Sequence, residues 1–173
     1  ELVHHTLVYL EGADGTTSQG PFGNGELVGL YGPGASPVQF PAEHGKRFKA
    51  GSTIRLDQHY HKETGPGTQA EDLTSVGMRF AKGKVAHPVT TAWVAQPELN
   101  IPAFADNVES RASFTFQDDG HILALMPHLH YRGKDFAYVA EYPDGKQEML
   151  LDVPNFDFNW QLGYVLPEPM AIP

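Results

Sequence analysis

Nine of the 173 residues are histidine, and three groups of them are spaced so that imidazole nitrogens could meet a metal ion. His128-Leu129-His130 is an H-x-H pair. Side chains two apart on an extended chain project from one face, so both rings can reach a single ion without distorting the backbone. His59-Tyr60-His61 repeats the spacing. Strand parity there puts Arg55, Asp57, His59 and His61 on one face, so His59 and His61 could chelate, or one of them could join a neighbouring strand. The third group, His4-His5, is different. Adjacent residues on a regular strand point to opposite faces, so shared ligation requires a bulge or a strand end. Imidazole is a borderline donor suited to Cu, Zn, Fe and Ni. Two of the groups also have a plainer reading: His128 and His130 as a solvent-facing pair on an edge strand, which Pro127 favours, and one ring in and one ring out at His4-His5. His44, His87 and His121 lie among turn residues and read as ordinary surface histidines.

Other chemistries find little support. The absence of cysteine excludes disulfides, thiolate metal sites and a Cys nucleophile. There is no G-x-S-x-G elbow, no P-loop and no G-x-G-x-x-G. Asp118-Asp119 sits in a turn and reads as solvated, while Phe156, Phe158 and Trp160 alternate and read as core. With 12 Lys and Arg against 21 Asp and Glu, the net charge of −9 argues against nucleic acid or an anionic membrane surface as partner. No apolar run approaches a membrane span.

The elements that must carry these residues are short strands. Gly 18 and Pro 14 exclude a long-helix bundle, and 40% apolar residues are enough for a core. Strands are predicted over 3–10, 27–30, 52–61, 74–81, 110–116, 122–131, 136–142, 148–153 and 159–165. Residues 12–25 read as a loop, 62–68 as a turn and 143–146 (Pro-Asp-Gly-Lys) as a hairpin turn. Residues 167–173 read as a loop-like end, which together with the Glu1 start suggests a piece of a larger protein. Prolines 88, 97 and 102 mark a boundary. The expected fold is all-β, two antiparallel jelly-roll or β-sandwich domains over 1–97 and 98–173, incomplete at both ends.

Several segments together resemble the copper type II, ascorbate-dependent monooxygenases, the family of peptidylglycine α-hydroxylating monooxygenase and dopamine β-monooxygenase. Val3-His4-His5-Thr6-Leu7-Val8-Tyr9 resembles their paired-histidine strand. Leu56-Asp57-Gln58-His59-Tyr60-His61 resembles their His-Tyr strand, and Pro127-His128-Leu129-His130-Tyr131-Arg132-Gly133-Lys134 their H-x-H strand. Pro143-Asp144-Gly145, Leu150-Leu151-Asp152-Val153 and Phe156-Asp157-Phe158-Asn159-Trp160-Gln161 are similar to the bacterial branch. The three histidine motifs occur in the family's order.

The resemblance implies two copper ions, one per jelly-roll domain, across a solvent-filled cleft. His4, His5 and His59 would hold an electron-storing copper, and His128 and His130 two of the three ligands of an oxygen-activating copper. It gives His61 no ligand role. It also implies an ascorbate-like reductant, a small-molecule or peptide substrate, a periplasmic or extracellular location, and the rest of the polypeptide or a partner at the cut ends. The family's third ligand to the oxygen-activating copper is a downstream Met thioether. Met170 is not assigned to it, and Met126 reads as core. Two other readings stand beside this one: a non-catalytic β-sandwich module with degenerate metal sites, and a hydrolytic zinc site at His128/His130.

Overall fold

A computed structural model of the chain describes residues 3–12, 19–20, 23–61 and 69–172. The architecture is all-β: among the described residues there is no helix, and hence none long and apolar enough to cross a membrane. The chain divides into two compact units, Glu1–Tyr31 with Pro37–Thr115, and Gly32–Ser36 with Phe116–Pro173. Residues 98–115 thus fall with the first unit.

The first unit contains strands β1 (Val3–Glu11), β2 (Gln19–Gly20), β3 (Gly23–Asn24), β4 (Glu26–Tyr31), β5 (His44–Gly45), β6 (Thr53–Tyr60) and β7 (His87–Pro88). Its centre is an antiparallel sheet in the order β4-β1-β6. β1 is the central strand of this sheet and is buried on both faces, Thr6 and Leu10 at one parity and Tyr9 at the other, in keeping with its apolar sequence at both parities. The most buried side chains lie on it and on β4: Tyr9, Leu10, Leu27 and Thr6. Across β1 and β6, His5 faces His59, Leu7 faces Asp57 and Tyr9 faces Arg55. The Arg55 guanidinium lies 4.3 Å from the Tyr9 ring centroid. Its Nε donates to Glu11 at 2.7 Å, and it also pairs with Asp57. On the β4 side, the Lys46 ammonium is nearly buried against Glu26 and donates to the Thr91 hydroxyl at 2.8 Å. Thr91 in turn donates to the Leu27 carbonyl at 2.8 Å, fixing a long connection to the sheet.

The second unit contains β8 (Gly120–Leu125), β9 (Phe136–Glu141), β10 (Gln147–Val153) and β11 (Tyr164–Ile172), paired antiparallel as β9-β10 and β8-β11. The β9–β10 hairpin closes at the expected turn. The Tyr142 amide donates to Lys146 O, the Lys146 amide donates to Asp144 Oδ1, and Gly145 adopts φ 83°. That left-handed conformation suits glycine.

Four strand expectations are corrected. Residues 74–81 and 110–116 are not strands, and Phe80, Phe114 and Phe116 are exposed: alternation alone does not make a strand. The strand expected over 122–131 ends at Leu125, just before Pro127, which has no N–H to donate to a ladder. The last strand begins at Tyr164 and runs through the expected loop. Its register shifts between Val165 and Met170, where Pro167 and Pro169 cannot donate to β8. Trp160 is 61% exposed and is not core. The turn expected over 62–68 and much of the loop over 12–25 lie outside the described residues.

The Tyr9 hydroxyl is buried and has no hydrogen-bond partner among the described residues. An unmade bond of this kind costs roughly 1–3 kcal/mol. Tyr9→Phe is therefore expected to raise unfolding stability by about 1 kcal/mol in a urea titration, since the ring under Arg55 is retained. A loss of stability would show that the hydroxyl is satisfied after all.

Candidate metal centre

His4, His5 and His59 converge. One nitrogen of each ring lies within 4.8 Å of the others, a grouping that could hold a metal ion and the only one of three or more His, Asp or Glu among the described residues. The ring centroids are 5.2, 5.2 and 4.8 Å apart.

The sheet explains how adjacent histidines share one side. Val3 pairs with Tyr60 and His5 with His59, so His4 is an extra residue on β1: a β-bulge. The bulge turns the His4 side chain towards the face His5 already occupies. His5 and His59 then meet as a direct cross-strand pair. On β6, Gln58 anchors the strand end. Its amide donates to the Tyr60 hydroxyl at 2.6 Å and to Asp72 Oδ2 at 2.8 Å, and Thr74 donates to the same oxygen at 2.8 Å.

The His4 and His5 Nδ1 atoms stand 3.0 Å apart. In the metal-free chain one of them carries a proton and donates to the other. With metal–imidazole distances of about 2.0–2.1 Å, the same separation gives a bite angle of about 95°, within the range that two lone pairs on one ion adopt. His4 and His5 are half-buried and His59 is exposed, so the group opens towards solvent on the β6 side. Burial, then the neighbouring His59 and His61, lowers the His4 pKa below its ordinary 6.5. The neutral, ligating form is thereby favoured. His61 lies just past β6, exposed and outside the triad.

His128 and His130 lie on the unpaired segment that follows β8. Their rings nevertheless face each other, with centroids 5.1 Å apart and planes at 87°. Three tethers replace the missing ladder. The Tyr138 hydroxyl of β9 donates to Met126 O at 2.9 Å. The Gly133 amide donates to His130 O at 2.8 Å, in a turn where a Cβ on Gly133 would come within 2.5 Å of Leu129 Cβ. The Gln161 amide donates to Phe158 O at 2.8 Å, which leaves its carbonyl oxygen to accept from His128 Nδ1–H at 2.6 Å. His128 is thus held as the Nδ1–H tautomer, with its Nε2 lone pair free for a ligand. Burial pushes the His128 pKa down, the Gln161 bond opposes this, and His130 lowers it further. No His, Asp or Glu among the described residues completes a threesome with this pair.

Sequence reasoning missed Gln161 and Tyr138, whose roles follow from long-range packing. It also read His44 and His87 as separate surface residues. They stack at 4.7 Å across the parallel β5–β7 pair, and His44 Nδ1–H donates to Ala42 O at 2.8 Å. His121 is exposed, as expected.

Compared with protein-family models, curated proteins and solved structures, the chain gave no significant match.

Two predictions follow from the imidazole environments. The folded chain holds His4 and His128 less protonated than the unfolded chain does. The resulting stability is fully present above about pH 6.5 and is lost as pH falls through the lowered folded-state values. Urea midpoints of the metal-free chain are expected to drop between pH 7.5 and pH 5, with a shallower drop in a His4→Asn/His128→Asn variant; equal slopes would contradict the burial argument. Gln161→Leu is expected to abolish the Nδ1–H preference of His128 in long-range 1H–15N spectra and to weaken metal binding at that pair about ten-fold or more.

Proposed function

We propose that this chain belongs to a copper-dependent monooxygenase that hydroxylates a C–H bond with O2 and an ascorbate-like one-electron donor. In this reading His4, His5 and His59 hold an electron-transfer copper, and His128 and His130 are ligands of an oxygen-activating copper. The observation that carries the reading is the convergence of His4, His5 and His59 from two strands into one three-nitrogen group. Three imidazoles, with no thiolate or carboxylate among them, are a donor set that accommodates both Cu(I) and Cu(II). The bound metal would supply one-electron redox cycling at the first centre and oxygen activation at the second.

The chain's own residues fit distinct tasks. The His4 bulge and the His5–His59 pair preorganise the first donor set, so little rearrangement accompanies a change of oxidation state. Gln161 fixes which His128 nitrogen is offered. His128 and His130 would supply two ligands of the second copper, and the third that the resemblance implies, a Met thioether, is not assigned in this chain. The net charge of −9 favours neutral or cationic substrates of small-molecule or peptide class, attracted weakly at physiological salt. The reading carries with it a periplasmic or extracellular location.

Copper titration with metal analysis and EPR tests it. The expected result is a Cu(II) signal with imidazole nitrogen couplings. His59→Ala should weaken the tighter binding event by at least about a hundred-fold, corresponding to roughly 2.7 kcal/mol. His128→Ala should leave that event intact while abolishing ascorbate-dependent O2 consumption. Copper binding indifferent to both substitutions would overturn the assignment.

A further inference from the structure

A crevice of about 330 Å³ opens in the second unit beside the H-x-H segment, and its lining is chemically distinctive. Three aromatic side chains, Phe156, Trp160 and Tyr164, border it together with Leu162 and Pro127. Asp157 is its one charged lining residue. The volume is at the small end of ligand-binding cavities.

The turn that carries this wall is well fixed. The Asn159 amide donates to Asp157 Oδ1 at 2.8 Å, and the Trp160 amide donates to Asp157 O at 2.9 Å. The next residue, Gln161, is held at both ends of its amide, by His128 and by the Phe158 carbonyl. Asp157 Oδ1 is thus engaged by the turn, whereas no hydrogen bond among the described residues engages Oδ2. Trp160, 61% exposed, is a large ring that the fold does not bury.

Aromatic faces carry negative electrostatic potential and attract organic cations. The attraction strengthens when the cation is partly desolvated, and alkylated ammonium groups lose little hydration on entering such a site. A carboxylate on the rim adds a point charge of the right sign. We propose that this crevice binds an organic ammonium group, quaternary or alkylated, with Trp160 as the principal ring and Asp157 as counter-ion. The proposal goes beyond the copper reading and does not depend on it. The two sites share backbone, since Pro127 precedes His128 and Trp160 precedes Gln161, so the cation would be seated beside the pair assigned to oxygen activation.

The test uses the metal-free chain, so that its failure leaves the copper assignment untouched. Tetramethylammonium, a neutral comparator bearing a tert-butyl group (3,3-dimethyl-1-butanol) and acetate are titrated while the Trp160 indole N–H is followed in 1H–15N spectra, with Trp160→Leu identifying the resonance. The expected result is a saturable shift with tetramethylammonium, binding of the alcohol weaker by about five-fold or more, and no binding of acetate. Asp157→Asn keeps an oxygen for the Asn159 amide while removing the charge, and is expected to weaken tetramethylammonium binding by about five-fold at unchanged stability. Equal affinity for cation and alcohol, an Asp157→Asn variant that binds as tightly as the parent, or the lack of a saturable shift would each overturn the proposal.

Discussion

The metal-capable face of the first unit depends on one extra residue. Without the bulge at His4, β1 would pair with β6 in simple alternation, and His4 and His5 would address opposite sides of the sheet. With it, two neighbouring imidazoles bring their Nδ1 atoms to 3.0 Å, and the partner strand supplies a third ring directly opposite His5. The register of the β1–β6 ladder therefore fixes the site: a slip by one residue would carry His59 to the far face along with Asp57 and Arg55.

That register is itself well specified. Tyr9 under the Arg55 guanidinium, with Glu11 and Asp57 flanking it, forms a charged and aromatic lock further along the same face. On the other face, Gln58, Tyr60 and Asp72 hold the end of β6. The two faces thus resist slippage by different means, one by stacking and ion pairing, the other by hydrogen bonds to a carboxylate. The second histidine pair has no ladder to rely on. Its geometry is imposed by side chains reaching in from elsewhere, the Tyr138 hydroxyl and the Gln161 amide.

The sequence was most legible where a rule has one outcome. The all-β class followed from turn residues and short apolar runs, and the β9–β10 hairpin from Pro143-Asp144-Gly145. Strand parity alone required a bulge or a strand end for His4 and His5 to share a side, and it allowed His59 and His61 either to chelate or to lend one ring to that pair; His59 as the third partner came from the family resemblance. It was least legible where partners decide. Residues 74–81 and 110–116 alternate as strands do yet form no strand. The prolines near the end of β11 suggested a loop, whereas the strand accommodates them by bulging away from β8. Trp160 shares a parity with Phe156 and Phe158, but the turn at Asp157–Trp160 interrupts the strand that the parity presupposes. Gln161 carries no local signature, because its role exists only once a histidine thirty-odd residues upstream is packed against it.

The β1–β6 ladder joins residues more than forty positions apart, from Glu11 with Thr53 to Val3 with Tyr60, whereas β9 and β10 are neighbours joined by a tight turn. Closing the larger loop costs chain entropy before any contact across it is gained. The three-imidazole group therefore cannot exist in a nascent chain until β6 has been made and has found β1, and isolated peptides from either strand lack it. Any ion taken up there acts as a clasp on the assembled sheet, favouring the completed fold over every partly folded form.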